Sequence, residues 1–99
     1  MFELCFTKAA DDQLKSLETN NAKAGLVKQI KKTLGFLQTN PKHPSLNTHP
    51  YDSIENPFNS KEKVFEAYAQ NNTPSAYRIF WCYGPDKKQL TIIAMTSHP

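Results

Sequence analysis

Arginine is nearly missing from this chain. Of its twelve basic residues eleven are lysine, and the single arginine, Arg78, lies inside a strongly apolar stretch. Cysteine is sparse as well: Cys5 and Cys82 sit in separate strand-like apolar runs, with no CxxC and no Cys/His spacing. Two buried free thiols are expected, rather than a disulfide or a metal ligand, and with them a cytosolic, metal-free protein. No run approaches the roughly 20 apolar residues that a helix needs to cross a bilayer, so no membrane partner is expected. The opening Met1-Phe2-Glu3-Leu4-Cys5 has neither a basic segment nor an apolar core of the kind that directs secretion. A Walker loop, a G-x-G-x-x-G turn, a nucleophile elbow and metal-ligand spacings are all missing, so no cofactor is expected.

What is present has ordinary globular composition. Apolar residues at 38% and charged residues at 21% set the chain apart from disordered tails and membrane proteins. Ninety-nine residues suffice for one core but not two, so residues 1–99 are read as a single domain. A net charge of +3 permits a nucleic-acid partner without requiring one.

The order of elements follows from periodicity. Residues 2–6 read as a strand, and Thr7 as the N-cap of a short helix carrying Ala10, Leu14 and Leu17 at helical spacing. Asp11 and Asp12 sit near its first turn, where carboxylates suit the helix dipole. Glu18-Thr19-Asn20-Asn21 breaks it. A second helix is predicted over 22–38, with Leu26, Ile30, Leu34 and Leu37 as its apolar stripe and most of its lysines off that stripe. Pro41, Pro44, Pro50 and Pro57 then make residues 40–60 a loop, with one short edge strand around 46–51. Three strand signals follow: an alternating one over 63–70, a β-rich one over 76–83 and a nearly continuous apolar run over 90–96. Turns are expected at Asn71-Asn72-Thr73-Pro74-Ser75 and Gly84-Pro85-Asp86. The predicted architecture is α+β: an N-terminal strand and a two-helix hairpin on one face of a mainly antiparallel sheet, whose other face is left partly open.

Strand parity sorts the side chains. In the first of these strands Val64, Glu66 and Tyr68 share one face and Phe65, Ala67 and Ala69 the other. In the second, Tyr77, Ile79, Trp81 and Tyr83 share a face, which leaves Arg78, Phe80 and Cys82 opposite. With the first set under the helices, Arg78 stands on the open face. It is then either a structural partner of Glu66 or an anion binder, since its planar fork suits phosphate. His98, beyond the last strand, is either tail or a general acid or base. A carboxylate (Glu66), a tyrosine (Tyr68), Arg78 and His98 on one face suit phosphodiester cleavage without a metal. A base takes the ribose 2′-proton, a cation steadies the phosphorane and an acid protonates the leaving 5′-oxygen. Lys28, Lys31 and Lys32 on the second helix, with Lys61 and Lys63, are either a solvated face or a polyanion contact. His43 and His49 flank prolines without ligand spacing and are assigned no role, while Tyr51 and Phe58 are expected to pin the loop.

Over nearly its whole length the chain resembles the RelE/ParE toxin superfamily. The resemblance rests on the opening strand and the lysine-rich helix hairpin that ends in Leu37-Gln38-Thr39-Asn40-Pro41. It continues through Val64-Phe65-Glu66-Ala67-Tyr68, Ala76-Tyr77-Arg78-Ile79-Phe80-Trp81 and Thr91-Ile92-Ile93-Ala94-Met95. It implies a type II toxin–antitoxin toxin that cuts mRNA on the ribosome and is neutralised by a cognate antitoxin, or else a ParE-like inhibitor of DNA gyrase, or a catalytically silent binding module. Arg78 falls on the arginine that contacts the scissile phosphate in RelE-like toxins, and His98 on the C-terminal histidine acid of the YoeB-like branch. Three departures stand beside the likeness: Glu66 and Tyr68 where active members carry lysine or arginine, Pro99 where the YoeB-like branch ends in tyrosine, and the long proline-rich loop.

Overall fold

The computed structural model describes residues 1–70 and 76–97, so the expected turn at 71–75 and the candidate acid His98 lie outside the described residues. Its elements run β1 (Glu3–Phe6), α1 (Lys8–Glu18), α2 (Ala24–Thr39), β2 (His49–Pro50), β3 (Phe65–Tyr68), β4 (Tyr77–Tyr83) and β5 (Gln89–Ser97). The fold is α+β, as the periodicity implies. Two boundaries differ from the sequence reading: Asn21–Lys23 is a 3-10 turn leading into α2, and the edge strand shrinks to β2, after a 3-10 turn at Pro44–Leu46. Pro44 and Pro50 explain the second, since neither can donate to a ladder.

The sheet order is β1-β5-β4-β3-β2. β1 lies parallel to β5, and every other pairing is antiparallel. The opening strand therefore extends the sheet at its edge instead of lying on its face. Both helices cover one face. Ile30, Leu34 and Leu37 of α2 meet Ile79, Trp81, Leu90, Ile92 and Met95 of the sheet. Each such fully buried aliphatic side chain contributes about 1.5–3 kcal/mol.

Thr7 caps α1, accepting from the Ala10 amide at 3.1 Å, and its hydroxyl also donates to the Ile93 carbonyl at 2.6 Å. Gln13, one turn further along α1, accepts from the Met95 amide at 2.8 Å. These two side chains satisfy backbone groups that a regular ladder would have paired. Between Phe80 and Trp81 the β4–β5 register slips: Phe80 faces Ala94, but Trp81 faces Ile92. Ile93 is the extra residue of a β-bulge. Ile93 and Ala94 accordingly both pack with the second core cluster, on the sheet face away from the helices.

That second face is not bare. Val64, Phe80 and Cys82 form its buried floor, and Tyr51 and Ile54 of the long loop pack on them. The Tyr51 ring centre is 4.7 Å from that of Phe80, so Tyr51 does pin the loop. Phe58 remains half exposed and lies beside Gly84, whose φ of +111° suits a residue without a Cβ. Asn56, buried in the same loop, accepts from the amides of Phe58 and Asn59 and donates to the Lys63 carbonyl. Among the described residues no helix is long and apolar enough to cross a membrane.

Candidate active site on the sheet face opposite the helices

Register alone brings five polar side chains together. Tyr68 of β3 lies opposite Arg78 of β4, Arg78 lies opposite Thr96 of β5, and Glu66 of β3 lies opposite His49 of β2. The bulge at Ile93 keeps Thr96 beside Arg78 while Met95 stays in the helix-side core. Bulges commonly re-aim side chains in this way next to functional sites.

Glu66 is the hub. His49 Nε2 lies 2.7 Å from Glu66 Oε1, and Arg78 Nε lies 3.8 Å from Glu66 Oε2. The side chains of Glu66 and Arg78 are only 7% and 12% exposed, whereas that of His49 is 46% exposed. The carboxylate is thus held between two nitrogen groups, with water reaching it mainly by way of the imidazole. His49 Nδ1 lies 3.0 Å from the Asn47 carbonyl oxygen. Both ring nitrogens therefore face acceptors. The imidazolium satisfies both at once, and a neutral ring does so only when Glu66 carries the proton. Either way, one proton is shared along a 2.7 Å line between the two side chains.

Arg78 is positioned by more than charge. Its guanidinium carbon sits 3.8 Å from the centre of the Tyr68 ring, and one terminal nitrogen donates to the Ala76 carbonyl at 3.4 Å. The His49 ring meets the same tyrosine at 5.7 Å in an edge-on arrangement. Tyr68 thus contacts both Arg78 and His49. At 3.8 Å the contact between Arg78 and Glu66 is an ion pair but too long for a hydrogen bond, and among the described residues Arg78 Nε has no hydrogen-bond partner. The structural and anion-binding readings of Arg78 are therefore compatible: Glu66 compensates its charge without occupying its donors.

Glu66 and Arg78 line a cleft of about 430 Å³, together with Tyr51, Ile54, Phe80, Ala94, Thr96 and Ser97. Of the residues singled out in the sequence, the structure thus assembles Arg78, Glu66 and Tyr68. The lysines are elsewhere. Lys28, Lys31 and Lys32 belong to α2, on the opposite side of the sheet; Lys31 pairs with Glu18 at 2.9 Å, and Lys32 lies over the Phe36 ring. Lys61 and Lys63 flank a separate hollow bounded by Tyr83, Gly84 and Lys87. Among the described residues none of these five lysines lines the Arg78 cleft.

His49 is the residue that sequence reasoning passed over. A signal existed: the position before Pro50 favours extended backbone, and the predicted edge strand spans it. Pairing that strand with the one bearing Glu66 places a histidine beside the carboxylate. Proline spacing hid the pairing, because a two-residue strand shows no alternation.

The fold is shared with solved structures over nearly the full chain. The YoeB/ParE toxin from Agrobacterium tumefaciens superposes with a TM-score of 0.69 at 12% identity, covering 99% of this chain and 100% of that one. YoeB from Staphylococcus aureus, solved as a dimer, gives 0.69 at 16% identity, covering 99% and 98%. RelE from Pyrococcus horikoshii, solved as an archaeal RelE–RelB complex, gives 0.64 at 13% identity, covering 97% and 93%. The chain has the RelE/ParE toxin fold. No protein-family model and no curated protein sequence matches it. At 12–16% identity, the resemblance seen in the strands and helices holds at the level of architecture.

Proposed function

We propose that this chain is the toxin of a toxin–antitoxin pair and cleaves mRNA on the ribosome by acid–base chemistry at the Arg78 cleft, in the cytoplasm. The observation that carries the proposal is the hydrogen-bonded Glu66–His49 pair beside Arg78 on the helix-free face. In this reading Glu66, which faces the cleft, takes the proton of a ribose 2′-hydroxyl as that oxygen attacks the adjacent phosphorus. His49, 2.7 Å from the same carboxylate, holds Glu66 in position, and Glu66 releases the proton to water once the product leaves. Arg78, steadied by Tyr68, binds the phosphorane oxygens. The bond from phosphorus to the 5′-oxygen then breaks, and a proton donor, for which His98 is the candidate, protonates that oxygen. The products are a 2′,3′-cyclic phosphate and a 5′-hydroxyl.

Two partners belong to this reading. The ribosome positions the mRNA, which relieves a chain of net charge +3 from binding RNA tightly by itself. A cognate antitoxin restrains it, as the pairing of RelE with RelB in the Pyrococcus horikoshii complex suggests.

Controlled expression without antitoxin tests the proposal, with mRNA ends mapped for the parent, Arg78→Ala, Glu66→Gln and His98→Ala. Growth arrest with new mRNA ends, lost with Arg78 and with Glu66, is the expected result. Arrest with intact mRNA would transfer the weight to gyrase inhibition. Normal growth on full expression would leave a silent member of the fold.

A further inference from the structure

The Arg78 cleft has two chemically different ends. At one stands Arg78, with Thr96 opposite it on β5; at the other are Phe80, Ala94 and, from the long loop, Tyr51 and Ile54, with Glu66 opposite Phe80 on β3. Thr96 and Ser97 supply hydroxyls along the β5 side. An inorganic anion has no use for the apolar end, and an aliphatic ligand has none for the guanidinium. A single nucleotide matches both, because its phosphate is anionic and its base is apolar on its faces and polar at its edges.

The apolar end is also built to stay in place. The Tyr51 amide donates to the Val64 carbonyl at 2.8 Å, extending the β2–β3 pairing by one residue. The ring of Tyr51 rests on Phe80, and Asn56 ties the following turn of the loop to Phe58, Asn59 and Lys63. A wall fixed before the ligand arrives loses little freedom on binding, which favours affinity. Bases paired in a duplex are stacked and unavailable to such a wall, whereas an unpaired base can be splayed onto an aromatic side chain.

We infer that the long loop forms a base-binding wall, so that the cleft holds one unpaired nucleotide with its phosphate at Arg78 and its base against Tyr51 and Ile54. The choice of RNA as the source of that nucleotide rests on the nuclease reading. The loop is then the specificity element of the site, and Thr96, opposite Arg78 on β5, stands at its phosphate end.

The test is a titration of the full-length, isotopically labelled protein followed by NMR. The probes are the four nucleoside 5′-monophosphates and, as a baseless control, ribose 5-phosphate. The nucleotides are expected to shift resonances of Tyr51, Ile54 and Ala94 together with Arg78 and Thr96, and ribose 5-phosphate to shift Arg78 and Thr96 alone. Removing the stacking ring in Tyr51→Ala should weaken nucleotide binding by about tenfold, while leaving ribose 5-phosphate binding unchanged. Tyr51→Phe should bind nucleotides as the parent does. Nucleotides that shift no more of the cleft than the sugar phosphate, or that shift nothing, would overturn the inference even if Tyr51→Ala fails to fold. The titration needs neither ribosome nor cleavage. Base binding at the wall alongside intact mRNA in cells would thus discard the nuclease reading and keep the pocket. Cut mRNA without binding at the wall would do the reverse.

Discussion

At the scale of single residues, the site is a small charge cluster whose members depend on one another. Removing one partner from a buried ion pair exposes the others to uncompensated desolvation. Glu66→Ala leaves the buried guanidinium of Arg78 without its carboxylate, and we expect it to lower unfolding free energy by about 3 kcal/mol, read as a shifted denaturant midpoint at constant slope. Arg78→Lys preserves the charge and loses the planar contact with Tyr68 at 3.8 Å. Lysine is therefore expected to fold normally and to fail in the mRNA cleavage assay. Cys82 illustrates the opposite environment: burial pushes its thiol up to about 11. An unfolded thiol ionises first, at about 8.5. The stability tied to Cys82 is thus complete below that range and is lost as pH rises toward about 11. Unfolding midpoints of the parent and Cys82→Ala, compared across that range, should diverge with a steeper alkaline fall for the parent. Maleimide should label the half-buried Cys5 of the native protein well before Cys82.

At the scale of elements, α1 and β5 act as one unit. Thr7 is both a helix cap and the partner of the bulged Ile93 carbonyl. Thr7→Val removes both bonds with little change in volume, and its expected cost is about 2 kcal/mol in chemical denaturation. α2 offers the reverse opportunity. A Cβ added at Gly25 or Gly35 meets nothing within 4 Å, so Gly25→Ala and Gly35→Ala should each raise stability by about 0.5–1 kcal/mol. How well each element could be read depended on how much alternation it carried. β3 and β4 alternate strictly, and the faces assigned to Glu66, Tyr68, Arg78 and Trp81 follow from that alone. The run over 90–96 is apolar throughout, and such a run conceals a bulge: nothing in it marks Ile93 as the residue at which parity slips. β2 is too short to carry any pattern, and with it His49 went unread.

At the scale of the whole molecule, topology was legible for neighbours in sequence and illegible for distant ones. The helix hairpin and the β3–β4–β5 meander join adjacent segments, and short connections make adjacency the default. The pairing of β1 with β5 had no such guide, because a four-residue strand announces that it will pair without naming a partner. The loop over residues 40–60 is recognisable as an insertion from its prolines, but the packing of its Tyr51 and Ile54 against Phe80 depends on tertiary contacts that composition does not encode. Asn56→Ala should release that insertion without unfolding the sheet. Faster amide exchange confined to the loop, with β4 and β5 still protected, is the expected signature.

The parallel pairing of the first strand with the last in chain order also bears on time. Thr7 and Ile93 are 86 residues apart, so a nascent chain emerges with its helices able to form and their apolar stripe without the sheet that covers it. The hairpin forms on local contacts quickly, whereas β1 has to wait for β5 before it has a ladder to join. Arg78 and Glu66 sit on strands made within that interval, and their cleft gains its Thr96 side only when β5 arrives. The cleft is therefore complete only once β5 has been made, and a partner that recognises the helical half would meet the chain before that point.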